Sequence, residues 1–223
     1  MRVETNVPSG ARGLRAAAFR ALAGGHLTEA VRAFEGYLRL NPSDAYVMFR
    51  LADCENDQGN LAAAEHWYDK FLELEPESIE AKENLALIWA ERRGDHDRAI
   101  RALEELQPEL QDAGMDDFLH LDLAWVHHLA GRRDKALGHL HEAVGLGILK
   151  SLQEIEDMRG DTGFADVYYI AEAHYRFAAV SLDAGEDRDR TLFHLRQAIR
   201  LSPESVYARD AQTLLAQLDQ ETG

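Results

Sequence analysis

Apolar residues recur along the chain at intervals of three and four, the spacing of one face of a helix, and the helical segments come in pairs separated by a glycine. Gly25, Gly59, Gly94, Gly131 and Gly185 each close one apolar segment and precede another, at spacings of 34, 35, 37 and 54 residues. Five residues after each of the first four stand Ala30, Ala64, Ala99 and Ala136, and four residues further Phe34, Tyr68, Leu103 and Leu140. The fifth unit carries Thr191 and Leu195, one residue late. Pro42, Pro76, Pro108 and Pro203 fall at the joins, where a missing backbone donor is tolerated at a helix start or just beyond a helix end. The repeating element is a pair of helices.

Each position in the pattern has a mechanical reason. A glycine after the first helix adopts the left-handed conformation that ends it and lets the chain turn back. The alanine of the second helix permits close approach, and the large residue one turn later fills the space beside it. The first helices repeat a bulky-small doublet at Leu51-Ala52, Leu85-Ala86 and Leu123-Ala124, with Ala17-Ala18 and Ala178-Ala179 as weaker versions. These doublets are expected to face the partner helix.

The spacing resembles the tetratricopeptide repeat, a 34-residue helix-turn-helix unit with small, large and proline signals at set places. The best match is Ala45 to Pro76, where Met48, Leu51, Ala52, Gly59, Ala64, Tyr68, Phe71 and Pro76 stand in the family's positions. The resemblance implies an all-α protein, a right-handed α-solenoid of about five helix hairpins plus a C-terminal capping helix. The expected units are 11–42, 43–76, 77–111, 112–147 and 164–203, with an inserted short helix and turn over 148–163 and the cap over 204–219, all in a single domain. Unit three departs from the family by one extra residue at Arg92-Arg93 and by an early Pro108, and unit five is delayed by Glu186 to Arg190. Single repeats cannot bury their own apolar face, so units and cap are expected to fold together.

Composition narrows the function classes. The chain has 223 residues, 46% of them hydrophobic, with 24 Lys plus Arg against 40 Asp plus Glu and a net charge of −16. That field repels nucleic-acid phosphates and anionic lipid, so neither nucleic acid nor membrane is expected as a partner. No apolar run approaches the length of a membrane span, and Arg15 and Arg20 interrupt the Ala-rich start before any cleavage site, which points to a cytoplasmic location. Only four of the basic residues are Lys, a bias that fits either Arg-rich codon usage or a high-salt cytoplasm.

In this family the first helices line the concave side of the stack. The groove residues expected from their spacing are Tyr46, Phe49, Arg50, Asp53 and Asn56; Glu83, Asn84 and Leu87; Phe118, Leu121, Asp122, Trp125 and His128; and Arg176 and Phe177. Aromatic anchors alternate with acids, which suits a protein or peptide partner carrying apolar and basic residues. Any of these aromatics could equally pack against the neighbouring repeat. The Lys, Asn and Arg clamp with which some family members hold a terminal carboxylate is missing in both alignable frames.

No catalytic group, cofactor or metal is expected. Cys54 has no CxxC partner and sits beside Glu55, and no GxSxG or phosphate-cradling glycine loop is present. Of the ten histidines, five lie in unit four (His120, His127, His128, His139 and His141), but no HExxH or i, i+4 pair converges them on a metal. The function expected is a non-catalytic interaction scaffold. The alternative is a self-assembly module that forms homo-oligomers through its apolar ends.

Overall fold

A computed structural model describes residues 9–154 and 166–220. Among the described residues every regular element is a helix. The close contacts divide the chain into two compact units, Met1–Glu77 and Ser78–Gly223.

The first unit holds two hairpins: α1 (Ser9–Ala23) with α2 (Leu27–Leu38), and α3 (Ala45–Asp57) with α4 (Leu61–Leu74). In the second, α5 (Ile79–Arg93) pairs with α6 (His96–Glu105), a short α7 (Gln107–Asp112) follows, and α8 (Asp116–Leu129) pairs with α9 (Arg133–Leu146). The last hairpin is α10 (Asp166–Ala184) with α11 (Arg188–Leu201), followed by α12 (Val206–Gln220). Of the expected insertion, residues 148–154 are helical, with Ile148 and Leu152 in the core; its remainder, with Ile155 and Met158, and Phe164 at the start of the expected fifth unit lie outside the described residues.

The repeat signature explains the hairpins. Gly25, Gly59, Gly94, Gly131 and Gly185 all have φ between +63° and +80°, a conformation that costs a residue with a Cβ. Beside each glycine, one backbone bond runs back into the first helix. The His26, Asn60, Arg132 and Glu186 amides donate to the carbonyls of Ala21, Glu55, His127 and Ser181, five residues earlier. In the third hairpin the Asp95 amide reaches six residues back to Trp89, so the extra residue at Arg92-Arg93 is absorbed in the last turn of α5. Helix starts are capped by side chains: Asp44 accepts from the Val47 amide at 3.1 Å, Ser78 from Ala81 at 3.3 Å, and Ser205 from Ala208 at 3.1 Å.

The small and large positions meet as the pattern requires. Ala30, Phe34, Ala64, Tyr68, Ala99, Leu103, Ala136, Leu140, Thr191 and Leu195 are all buried, as are the three Leu-Ala doublets. One element was not foreseen. Pro108 does not merely end the third unit; it sits in the first turn of α7, whose Leu110 joins the core of the second unit. The expected capping helix is present as α12, whose Tyr207, Ala208, Ala211 and Leu218 are buried. Its end is tied to α11 by the Arg188 guanidinium, which donates to the Leu218 carbonyl at 2.7 Å.

Candidate functional site

In the first unit the predicted stripe has one open anchor. Tyr46, in the first turn of α3, is 52% exposed, and its ring stacks on Phe19 of α1 with centroids 5.7 Å apart and planes at 15°. The Arg15 guanidinium lies 5.0 Å from the Phe19 centroid and 5.9 Å from that of Tyr46, with Asp44 3.7 Å from its Nε. Behind this surface the stripe turns inward. Phe49 is buried edge-on between Tyr68 and Phe71, at 5.6 and 5.1 Å, and Arg50 is buried with its Nη1 2.8 Å from Asp53. The Tyr68 hydroxyl donates to the other Asp53 oxygen at 2.6 Å, and Asn56 is buried. Phe49 and the Asp53–Tyr68 bond hold α3 against α4, and of these stripe residues only Asp53 keeps partial exposure.

The second unit corrects the expectation further. Glu83, Leu87, Phe118, Leu121, Asp122, Trp125, Arg176 and Phe177 are all buried; of its predicted stripe only Asn84 and His128 keep partial exposure. The acids turn inward because Arg176 of α10 meets them there. Its Nη1 donates to Asp122 at 2.8 Å, its Nη2 donates to Glu172 one turn earlier on α10, and Glu91 of α5 stands 3.7 Å from Nη2. The Trp125 indole N–H donates to Glu91 at 2.8 Å. From α12 the Tyr207 phenol hydrogen-bonds Glu172, and burial pushes its pKa well up. One guanidinium thus serves carboxylates from three first helices, an arrangement that fixes their register at the cost of desolvating every member.

Desolvation governs the charges of this cluster. Burial raises the Glu91 carboxyl to about 7 and Asp122 to about 6, partly offset in each by Arg176. Burial, and then the neighbouring Asp122, push Glu83 well above the usual carboxylate range. Glu172 and Tyr207 escaped the sequence reading, although Glu172 stands four residues before Arg176, a spacing that pairs charges on one helix face.

Several of the histidines meet one another across paired helices. The Nδ1 atoms of His120 and His139 are 3.0 Å apart, and His127 stacks on His139 with centroids 5.3 Å apart. A second pair, His174 and His194, has its Nδ1 atoms 2.6 Å apart. Ring centroids in the pairs are separated by 5.2 and 4.8 Å, which leaves the two nitrogens nearly in line between the rings. That is a hydrogen bond between the two rings, one nitrogen donating to the other, and not two lone pairs converging on a third atom. Among the described residues no group of three or more His, Cys, Asp or Glu is placed to hold a metal ion. Cys54 is buried, and desolvation raises its thiol pKa well above the ordinary value, which makes it a poor nucleophile.

Burial lowers His127 and His174 to about 4 and His194 to about 3. The unfolded chain therefore takes up protons below about pH 6.5 that the folded chain refuses, so this contribution to stability is complete above that pH and is lost as the pH falls towards 4. A His194→Gln variant is expected to show a shallower fall in urea midpoint than the parent between about pH 6.5 and 4.5. Parallel falls in the two proteins would contradict the assignment.

Stacked antiparallel helix pairs closed by left-handed glycines, with an Ala and a large residue at fixed places, define a helical-repeat protein. Residues 15–79 match the family model described as Tetratricopeptide repeat. Among solved structures the chain resembles a crystallised thermophilic TPR protein, TTC0263 from Thermus thermophilus, with TM-score 0.57 and 20% identity over 92% of this chain and 99% of that one. It also resembles MamA, residues 41 to the end, from Desulfovibrio magneticus, with TM-score 0.55 and 16% identity over 88% of this chain and 97% of that one. A tetratricopeptide repeat protein from Parabacteroides merdae gives TM-score 0.55 and 18% identity, over 84% of this chain and 64% of that one. No curated protein matches the chain. The fold is that of a tetratricopeptide-repeat protein. Among the described residues no helix is long and apolar enough to cross a membrane.

Proposed function

We propose that the protein is a non-catalytic interaction scaffold that takes a peptide segment or helix carrying apolar and basic residues. The observation that carries this reading is the open ring of Tyr46, held flat against Phe19 on the first helices of the first unit, with Asp44 beside it. An aromatic ring pre-stacked by its neighbour loses little freedom when a partner's apolar side chain covers it. The net charge of −16 favours approach of a basic segment. Within this unit Asp53 is the other member of the predicted stripe with exposure left to contribute.

Fluorescent peptides of about twelve residues, one panel alternating Leu with Arg and one alternating Leu with Asp, test the reading by anisotropy at two salt concentrations. The basic panel is expected to bind more tightly, to weaken with salt, and to lose about tenfold or more in affinity with Tyr46→Ala. Equal binding of the two panels, or an unchanged Tyr46→Ala variant, would reject it. Self-assembly through α12 is less favoured, because Leu218 is buried and Leu214 and Leu215 are partly covered. Light scattering at high concentration separates the two readings.

A further inference from the structure

On its last second helix the second unit carries a surface opposite in sign to the chain as a whole. α11 contains four arginines against one acid, Asp189, in a chain of net charge −16. Arg188 is turned to the end of α12 by its bond to the Leu218 carbonyl. The other three share one side of the helix: with successive residues about 100° apart, Arg190, Phe193, Arg196 and Arg200 fall within an arc of about 120°. Arg196 and Arg200 are exposed and Arg190 partly so. Arg200 Nε donates to Gln197, in the same arc, at 2.5 Å, which holds that guanidinium along the helix surface. From Arg190 to Arg200 the stripe is about 15 Å long.

Phe193 stands at its centre. It is 47% exposed, and it and Tyr46 are the two large aromatics left open among the described residues. Its ring rests on a fixed floor. It meets His194 edge-on, with centroids 5.2 Å apart and planes at 84°, and His174 at 6.4 Å and 79°. Those two imidazoles are buried and joined by their 2.6 Å hydrogen bond. A ring so supported loses little freedom when it is covered, and the guanidinium groups around it offer planar pairs of donors that match carboxylates.

We propose that this face of α11 docks an acidic peptide segment, with carboxylates on Arg190, Arg196 and Arg200 and a large apolar side chain over Phe193. Charge complementarity selects the partner, because the stripe presents three cations and one acid to whatever covers the ring. Length separates a peptide from nucleic acid. A nucleic-acid strand would run past the stripe onto a chain of net charge −16, whereas a short acidic segment keeps its carboxylates within about 8 Å, one Debye length, of the arginines. The surface lies on a second helix of the second unit and takes the opposite charge from the Tyr46 surface, so each reading stands or falls without the other.

Fluorescence anisotropy with the full chain tests the proposal. The probes are a labelled peptide of about twelve residues, glutamates around a central leucine pair, its counterpart with glutamine for glutamate, and an oligothymidine of about the same length. At about 0.15 M salt the glutamate peptide is expected to bind about tenfold or more tighter than either of the others. Arg196→Glu and Phe193→Ala are each expected to weaken it by about fivefold or more, and Tyr46→Ala to leave it within about twofold. Both substitutions fall at exposed positions, and unchanged helical circular dichroism confirms that the variants fold. Absent or equal binding of the glutamate peptide, or affinity untouched by both α11 variants, would overturn the proposal. Oligothymidine bound as tightly as the peptide would also overturn it and assign the stripe to nucleic acid.

Discussion

Replacing Arg176 with methionine is expected to destabilise the second unit by about 3–5 kcal/mol, the cost of stranding buried charges after one partner is removed. Methionine keeps much of the stem volume but leaves Asp122, Glu172 and Glu91 without their cation. The direction of the pH response distinguishes this from a packing loss. The stranded carboxylates can be neutralised by protons, so the penalty is expected to shrink as the pH falls below about 6, and to be largest above it. For a unit of this size the melting temperature is expected to drop by about 10 °C near neutral pH, measured by circular dichroism. A drop that is the same at acid and neutral pH would show that the guanidinium contributes shape and not charge.

The second large effect is expected from Phe34→Ala in the first unit. Phe34 is fully buried on α2, one turn after Ala30, and meets Phe19 edge-on with ring centroids 5.1 Å apart. Its removal deletes the large half of the repeat's small-large pair and leaves a cavity, at a cost of about 3–5 kcal/mol. The same edge supports the Phe19 ring on which Tyr46 stacks, so peptide affinity and stability are expected to fall together. Urea unfolding followed by Trp67, the tryptophan on α4, reads the loss in that unit. A change below about 1 kcal/mol would mean that the site closes over the lost ring.

The hairpins were legible because their signature is local. A glycine at positive φ, an alanine five residues on and a large residue one turn later lie within a single hairpin, so the sequence states their contact directly. Pro108 misled for the same reason: a proline reads equally as the end of one element or the first turn of the next, and here it opens α7.

The candidate site was less legible. Helical spacing selects one side of each first helix, but that side is wide enough to hold both groove and packing positions. What decides between them is remote in sequence. Asp122 is buried because Arg176, 54 residues away, reaches it, and Trp125 because Glu91, 34 residues away, accepts from its indole. Phe49 is taken inward by Tyr68 and Phe71 from the following helix. The His120–His139 pair spans 19 residues and two helices, so the face of each helix taken alone could not bring the rings together. Tyr46 stays open because the ring it meets, Phe19, lies flat against it on one side only.

Above all, the aromatic and acidic stripe divides into an open patch at Tyr46 and an internal clamp around Arg176. Hydroxyl-radical footprinting with mass spectrometry measures this division residue by residue in the intact protein. Tyr46 is expected to oxidise about tenfold or more faster than Phe49, Phe118 and Trp125 once intrinsic reactivities are divided out, because its ring is 52% exposed and theirs are buried. Comparable oxidation of Tyr46, Phe118 and Trp125 would contradict it, since the stripe would then be one continuous open surface.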